Sequence, residues 1–274
     1  MSNTWLAPAK INLFLHINAK RADGYHNLQT IFQLLDFYDE LNFSITNNGV
    51  IKRISGNENV PQAQDLVIKA AKLLQQKTQT IQGAEISITK RIPAGGGLGG
   101  GSSDAATTLV ALNHLWDTQL NQSQLMELGL ELGADVPVFI NGYSAWAEGI
   151  GEILSPIKTP EHYFLVVFIN QHTSTKEIFS HNALTMSKMI GKISDFSELV
   201  NTRNDCLQAA IDKASEIGVA LALLDQSSNL IGKARMSGTG SCVFAEFLTE
   251  KNALAACKKM PEKWMSFTAQ AINT

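Results

Sequence analysis

The most informative run in this chain is Ile92-Pro93-Ala94-Gly95-Gly96-Gly97-Leu98-Gly99-Gly100-Gly101-Ser102-Ser103-Asp104. Six of the chain's 20 glycines lie in the seven positions from 95 to 101. A segment with so few side chains lets a ligand reach the backbone, and successive N–H groups can point toward one spot. Residues 105–112 then read as a helix, and its orphan N–H groups and dipole favour an anion at its start. The run therefore predicts a phosphate-binding loop.

Other interpretations of a glycine loop fit less well. A Walker A loop ends in Gly-Lys-Ser/Thr, whereas this one ends in Gly101-Ser102-Ser103. The spacing Gly95-x-Gly97-x-x-Gly100 matches the dinucleotide fingerprint, but a run this rich in glycine matches many patterns. Protein kinases need His-Arg-Asp and Asp-Phe-Gly, and neither tripeptide occurs in the sequence. A flexible linker is disfavoured because an alternating strand precedes the run and a helix follows it.

Composition indicates an ordinary globular protein of one large or two modest domains. The chain has 274 residues, of which 45% are hydrophobic and 17% charged, with a formal net charge of −3. Because no basic excess exists, we expect no nucleic-acid partner, and because no apolar run is long enough, no membrane span. Three widely spaced cysteines, Cys206, Cys242 and Cys257, form no CxxC pair and indicate neither a disulfide framework nor a zinc site. We predict a soluble cytoplasmic protein.

Hydrophobic periodicity predicts strands and helices in both halves of the chain. Residues 9–18 alternate strictly between apolar and mixed positions, which is typical of a strand with one buried face. The remaining predicted strands are 30–37, 39–46, 50–55, 86–90, 163–169 and 242–247, and the helices are 65–76, 105–112, 123–132 and segments near 175–190, 204–217 and 250–259. Two prolines within residues 155–160 indicate a boundary. Together these elements predict two α+β halves.

Three further features could carry chemistry, and each has an ordinary structural explanation. Lys10 lies on the less apolar face of the first strand, where surface lysines are common. Asp135 stands between a helix stop and an apolar run, where a turn or cap aspartate would be expected. The small-residue segment 236–242 precedes a strand and could be a plain turn or a second close approach of backbone to phosphate.

Taken together, these motifs resemble those of the GHMP small-molecule kinases. The resemblance rests on Pro8-Ala9-Lys10-Ile11-Asn12-Leu13, on residues 93–103 and on Ser237-Gly238-Thr239-Gly240. It implies a two-domain α+β fold. Residues 1–156 would form a ribosomal-S5-like N-terminal domain that carries the ATP loop. Residues 157–274 would form a ferredoxin-like C-terminal domain that completes the substrate site.

Three more segments resemble one branch of that family, whose substrate is a cytidine-diphosphate sugar alcohol. They are Arg21-Ala22-Asp23-Gly24-Tyr25-His26, residues 133–139 and residues 147–152. The resemblance implies ATP-dependent phosphorylation of the erythritol 2-hydroxyl, a step of the non-mevalonate isoprenoid precursor pathway. The catalytic residues it implies are Lys10 and Asp135. The ATP loop it implies is Pro93, Ala94, Gly95, Gly96, Gly97, Leu98, Gly99, Gly100, Gly101, Ser102 and Ser103. The substrate-binding residues it implies are Asn12, Tyr25, His26, Thr175 and Phe179.

Phosphoryl transfer asks a protein mainly for positioning and charge stabilisation, which suits this set of residues. Mg²⁺ is expected to arrive with the nucleotide, and its protein ligands stay open, with Ser102, Ser103 and Asp104 as candidates. Two alternatives also stay open. One is a sibling kinase of the same family acting on another small alcohol such as homoserine or mevalonate. The other is a non-catalytic nucleotide sensor. The sequence leaves the oligomeric state undetermined.

Overall fold

A computed structural model describes residues 4–273. The strands are β1 (Thr4–Lys20), β2 (His26–Thr46), β3 (Ile51–Ser55), β4 (Gly83–Thr89), β5 (Ala145–Glu148), β6 (Ile153–Pro156), β7 (Tyr163–Phe168), β8 (Leu230–Met236), β9 (Val243–Phe247) and β10 (Met265–Ile272). The α-helices are α1 (Leu66–Thr78), α2 (Gly100–Leu115), α3 (Gln122–Leu132), α4 (Val136–Asn141), α5 (Thr175–Phe179), α6 (Leu207–Lys213), α7 (Glu216–Leu224) and α8 (Glu250–Cys257), and a 3₁₀ helix covers Phe196–Asn201. This confirms the α+β class.

The chain divides into two compact units whose segments interleave along the sequence. Within the described residues, unit 1 comprises residues 4–9, 37–92 and 99–142, and unit 2 comprises residues 10–36, 93–98 and 143–273. Strands β1 and β2 pair with each other and contribute residues to both units. The division into domains 1–156 and 157–274 stays a prediction.

Unit 1 packs helices against a short sheet. The second half of β2 pairs antiparallel with β4 from Glu40↔Thr89 to Thr46↔Gly83, and β3 pairs parallel with β4. Helices α1 to α4 pack against one another, and Phe43, Leu74 and Leu109 are among the fully buried side chains. Burying one such side chain contributes roughly 1.5–3 kcal/mol to folding, which supports this layer.

Unit 2 contains a larger antiparallel sheet. The first half of β2 pairs with β10, which pairs with β7, then β9, then β8, and β5 joins β2 to β6. One apolar cluster unites β1, the sheet and helices α5 to α8, with Ile17, Leu165 and Phe247 fully or almost fully buried. Among residues 4–273, no helix is long and apolar enough to cross a membrane.

Several predicted elements have different bounds in the structure, for reasons of tertiary contact. The predicted strands 30–37 and 39–46 form a single strand, β2, because the Asp39 carboxylate is satisfied by hydrogen bonds from residues 90–92. Helix α3 is capped by Asn121 in a capping box with Gln124, and not by Ser123 as its sequence position predicts. Gly133 ends α3 as expected.

The helices predicted in the second half are shorter than expected. The helix predicted near 175–190 ends at Phe179, because the following chain hydrogen-bonds elsewhere: the Ser187 N–H donates to the Ile17 carbonyl (2.8 Å) and the Thr185 Oγ1 hydroxyl to Asp205 Oδ1 (2.9 Å). The helix predicted near 204–217 divides into α6 and α7. Strands β5, β6, β8 and β10 and helix α4 were not predicted.

Candidate active site

The glycine loop has the backbone conformation that an anion cradle needs. Gly95, Gly97 and Gly99 have φ values of +71°, +78° and +73°, which side chains rarely tolerate. Gly99 is the N-cap of α2, and the N–H groups of the helix's first turn have no partner within the helix. A Cβ on Gly97 would lie 2.3 Å from the Ser237 carbonyl oxygen, so only glycine fits there. Backbone that alternates in this way can aim N–H groups at a common point, as an anion site requires.

Within unit 2, one hydroxyl joins the three sequence motifs. Ser237 Oγ accepts a hydrogen bond from the Asn12 N–H (3.2 Å) and donates one to the Gly97 carbonyl (2.8 Å). The Cys242 N–H donates to the Gly96 carbonyl and the Lys10 N–H to the Leu98 carbonyl, both at 3.0 Å. The first strand, the glycine loop and the small-residue segment 236–242 are therefore one hydrogen-bonded assembly, and that segment is more than a plain turn.

Lys10 is a buried cation with defined contacts. Its side chain lies on β1 with 2% exposure, which excludes the interpretation as an ordinary surface lysine. The ammonium Nζ donates to Asn12 Oδ1 at 2.7 Å and lies 5.2 Å from the centroid of the Phe32 ring. Asn12 Nδ2 in turn donates to Thr30 Oγ1 at 2.9 Å, and the Thr30 hydroxyl donates to the Phe14 carbonyl. This chain of contacts orients the ammonium.

Asp135 belongs to unit 1 and immediately precedes α4. Its side chain is half-buried and makes no capping hydrogen bond to the helix, which has proline at its second position, Pro137. Asp135 thus lies in a turn at the start of α4 without acting as a side-chain cap. The structure leaves its expected catalytic role a prediction.

Three of the residues expected at the cytidyl substrate make contacts in unit 2. His26, which is buried, stacks on Phe179 with ring centroids 5.3 Å apart and planes 25° apart. Burial, and then the charge of Lys20, lowers the pKa of His26, which favours the neutral imidazole. Thr175 Oγ1 lies 3.2 Å from Thr239 Oγ1. These contacts tie helix α5 to the start of β2 and to the segment 236–242.

Tyr25 directly precedes His26 in the sequence, and its ring is exposed. Its side chain is 59% exposed, and its backbone is held in a turn, with the Arg21 N–H donating to the Tyr25 carbonyl (2.8 Å) and the Tyr25 N–H to Asp23 Oδ1 (3.0 Å). An exposed aromatic ring on an ordered turn is available to stack on a planar ligand.

Unit 1 contains a buried charge network that the sequence patterns do not predict. Lys90 Nζ donates to Asp39 Oδ2 and, at 2.6 Å, to Asp104 Oδ2 near the start of α2. Asp39 Oδ1 also accepts the Arg91 N–H (2.5 Å) and the Ile92 N–H (2.8 Å). The only signal for it is a buried aspartate that interrupts the apolar pattern of β2. Thr30, which holds Asn12, could not be found from the sequence because it looks like an ordinary strand residue.

Burial dominates the electrostatics of this network. It raises the pKa of Asp104 to about 7, with the charge of Lys90 opposing the shift and that of Asp39 adding to it. Burial also works to lower the pKa of Lys90, but the two carboxylates outweigh it and raise that pKa. Asp104 Oδ1 is buried and accepts no hydrogen bond, which agrees with the raised pKa of Asp104.

Possible metal ligands are few. Within residues 4–273, no three His, Cys, Asp or Glu side chains are grouped so that they could hold a metal ion. Near the loop, Ser102 is half-buried, and Ser103 Oγ and Asp104 Oδ1 are buried oxygens that make no hydrogen bond. Hard cations bind oxygen, so these atoms are compatible with Mg²⁺ but do not form a complete protein site.

Comparison with known proteins places the chain among small-molecule kinases. The profile of the GHMP kinases N terminal domain matches residues 65–143, and that of the GHMP kinases C terminal matches residues 183–265. A 4-diphosphocytidyl-2-C-methyl-D-erythritol kinase of Ruthia magnifica subsp. Calyptogena magnifica is 76% identical over 274 residues, covering 100% of this chain and 96% of that protein. The protein of the same name from Cupriavidus taiwanensis is 48% identical, covering 94% of this chain and 89% of that protein.

Solved structures agree with these relatives. A crystal structure of 4-(cytidine 5'-diphospho)-2C-methyl-D-erythritol kinase is similar with a TM-score of 0.85 and 30% identity, covering 99% of this chain and 100% of that one. A crystal structure of a homoserine kinase from Cytophaga hutchinsonii has a TM-score of 0.67 and 16% identity, covering 100% of this chain and 96% of that one. The second likeness concerns the fold alone.

Proposed function

This chain belongs to the GHMP kinase family, among the 4-diphosphocytidyl-2-C-methyl-D-erythritol kinases, and we propose that it phosphorylates the 2-hydroxyl of 4-diphosphocytidyl-2-C-methyl-D-erythritol. ATP is the co-substrate in this family. The proposal places the reaction in the cytoplasm, in the non-mevalonate route to isoprenoid precursors. The observation that carries it is the Ser237 hydroxyl, which bonds both to the strand of Lys10 and to the glycine loop.

In the proposed mechanism the backbone holds the nucleotide. The N–H groups of residues 93–103 and the positive end of α2 bind the triphosphate, because preorganised dipoles need no rearrangement when charge develops. The γ-phosphoryl group passes to the 2-oxygen of the erythritol, ADP leaves, and the hydroxyl proton goes to the Asp135 carboxylate. The Lys10 ammonium, oriented by Asn12, stabilises the charge of the transferring group.

A carboxylate is a weak base for an alcohol, yet it suffices for this reaction. Phosphoryl transfer passes through a loose transition state in which the nucleophile's proton is lost late. Asp135 therefore has to accept the proton only as the new P–O bond forms. A positioned base of this kind contributes about 10²–10⁴ in rate.

Mg²⁺ is proposed to reach the site on the nucleotide phosphates, with Ser102, Ser103 and Asp104 as the nearest candidate oxygens. When bound, the ion neutralises charge on the phosphoryl oxygens. The buried, unbonded Ser103 hydroxyl is the observation that fits such an ion. The assignment of individual ligands stays open.

The cytosine end of the substrate is proposed to bind at Tyr25, His26 and Phe179. Aromatic rings stack on a flat base, and a neutral imidazole offers one donor and one acceptor to its edge. The stacked pair His26–Phe179 supplies an ordered wall for that purpose. Thr175 completes this side of the proposed site next to Thr239.

A coupled assay of ADP release tests the proposal. The wild-type protein is supplied with Mg²⁺ and ATP and, in separate reactions, with 4-diphosphocytidyl-2-C-methyl-D-erythritol, homoserine or mevalonate. We expect turnover with the cytidyl substrate at least about 100-fold above that with either alcohol, because those lack the base that Tyr25 and His26 recognise. Preferred turnover of homoserine or mevalonate would support a sibling kinase, and nucleotide binding without any turnover would support a sensor.

A further inference from the structure

His172 lies directly on the glycine loop, although no sequence motif points to it. It follows β7 and precedes α5, and its side chain is exposed. A Cβ atom at residue 95 would lie 1.7 Å from His172 Nδ1 and 2.5 Å from its Cε1. The imidazole therefore occupies the space over the Cα of Gly95, which has a positive φ and no side chain of its own.

The backbone on both sides of His172 is fixed. The Ser241 hydroxyl donates to the Gln171 carbonyl, and Thr173 Oγ1 donates to the Thr239 carbonyl at 3.0 Å. Thr173 and Ser241 are buried, so these bonds are shielded from water. Cys242, which follows Ser241 in the chain, donates its N–H to the Gly96 carbonyl (3.0 Å). The same segment that holds the loop at Gly96 thus holds His172 over Gly95.

We propose that His172 is a phosphate-binding residue, whose ring N–H donates to a phosphoryl oxygen of the nucleotide in the glycine loop. This rests on the proposed function for the presence of a nucleotide there. An imidazole carries at least one ring N–H in either protonation state, so it adds a side-chain donor beside the backbone amides of residues 95–97. Its fixed backbone means that little conformational freedom is lost on binding.

The test measures binding of inorganic tripolyphosphate and of ATP to the purified protein by titration calorimetry, in the absence of the acceptor substrate. His172→Ala is expected to weaken both by about 10-fold, the effect of one hydrogen bond to a charged group. His172→Leu, which still fills the space over Gly95 without a donor, is expected to lose as much. His172→Gln, which keeps an N–H donor, is expected to recover most of the affinity.

His181→Ala is the matched control. His181 lies in the same unit, but its Nδ1 accepts the Ala183 N–H (3.2 Å) and lies 3.9 Å from Asp212 Oδ2. Its removal is expected to leave both affinities within about 2-fold. In turnover, His172→Ala and His172→Leu should raise KM for ATP and leave KM for the cytidyl substrate unchanged.

The outcomes separate the two proposals. Wild-type tripolyphosphate affinity in His172→Ala, or in His172→Leu, would overturn the inference, since the ring would then merely cover the loop. An equal loss in His181→Ala would also overturn it, because the effect would not belong to the loop. A wild-type protein that binds tripolyphosphate through His172 but does not phosphorylate the cytidyl substrate would contradict only the proposed function.

Discussion

Lys10 illustrates what a single residue contributes to this site. A buried ammonium is costly unless it is hydrogen-bonded, so its contact with Asn12 Oδ1 stabilises the charge and fixes its position. A mobile surface lysine would have to be ordered anew for each turnover. Burial thus makes Lys10 a preorganised cation, and that property lies at the scale of one side chain and its immediate neighbours.

Lys10→Met and Asp135→Asn are each expected to lower kcat by at least about 10²-fold, since one removes the proposed charge stabiliser and the other the proposed base. ATP affinity should stay within a few-fold of wild type, because the loop amides remain. Single-turnover kinetics and equilibrium nucleotide binding measure the two effects. Lys52→Met, which removes an exposed lysine paired with Glu85, is the control and should be neutral. Near-normal turnover in either active-site variant would refute its assignment.

Tyr25→Ala is expected to raise KM for the cytidyl substrate by about 10-fold or more, while KM for ATP changes little, because the exposed ring is proposed to stack on cytosine. Steady-state kinetics with each substrate varied in turn gives both values. Tyr25→Phe retains the ring and should stay close to wild type. An equal rise in both KM values for Tyr25→Ala would count against a cytosine site.

At the scale of elements, one hydrogen-bonded connection within each unit joins distant parts of the chain. In unit 2, the Ser237 hydroxyl connects β1 to the glycine loop. In unit 1, Lys90, directly after β4, connects Asp39 of β2 to Asp104 near the start of α2. Neither connection is local in sequence, because Ser237 is 140 residues from Gly97 and Lys90 is 51 residues from Asp39.

Ser237→Ala is expected to destabilise the protein by about 1–3 kcal/mol, because the buried Asn12 N–H loses its acceptor. KM for ATP should rise as well, since the Gly97 carbonyl loses its donor. Urea unfolding and steady-state kinetics provide the measurements. Ser228→Ala, at an exposed position, should change stability by less than about 0.5 kcal/mol. Unchanged stability and KM in Ser237→Ala would mean that the hydroxyl does not connect the two elements.

Asp104→Asn is expected to raise the melting temperature more at pH 8 than at pH 5. The folded-state pKa of Asp104 is raised to about 7, so wild-type stability is full below the unfolded pKa of about 3.9 and declines as pH rises toward 7. A neutral amide still accepts the Lys90 bond and escapes that loss. Scanning calorimetry of the wild type and the variant at both pH values measures this difference in melting temperature.

Asp117→Asn is the control for that pH dependence, because Asp117 is exposed and has a positive φ that asparagine also tolerates. Its effect on the melting temperature should be the same at both pH values. If Asp104→Asn also shows a constant difference, the buried carboxyl does not titrate in this range.

At the scale of the whole molecule, nucleotide binding and folding are linked. A ligand that binds only the folded chain stabilises it by about 2.7 kcal/mol at 100 times its Kd. A non-hydrolysable ATP analogue should therefore raise the melting temperature of the wild type, and Gly97→Val should lose that increase because its side chain would collide with the Ser237 carbonyl. Thermal unfolding of both proteins with and without the analogue measures this rise in melting temperature.

Gly191→Ala is the matched glycine control, since a Cβ there meets nothing within 4 Å. It should keep the full increase in melting temperature. A Gly97→Val protein that is folded without nucleotide and is still stabilised by the analogue would contradict the placement of the triphosphate at this loop.

Local patterns were enough to predict much of the molecule. The alternation of residues 9–18 predicted β1, and the glycine run predicted a loop that leads into α2, because both signals depend on neighbours in the chain. The motifs also identified Lys10, Asn12 and the segment 236–242 as functional candidates. The limits of α5 and the continuity of β2 were not predictable, since Asp205 and Lys90, which satisfy the polar groups there, are distant in sequence.

The sequence by itself determined the α+β class, the family and many of the elements, β1 and α2 among them, because glycine content, periodicity and motif spacing are properties of short stretches. Only the tertiary structure decided that Ser237 joins β1 to the loop, that His26 stacks on Phe179, and that His172 covers Gly95. These contacts join residues 77 to 225 positions apart. Their existence depends on how strands and helices pack, and no short stretch of sequence records that packing.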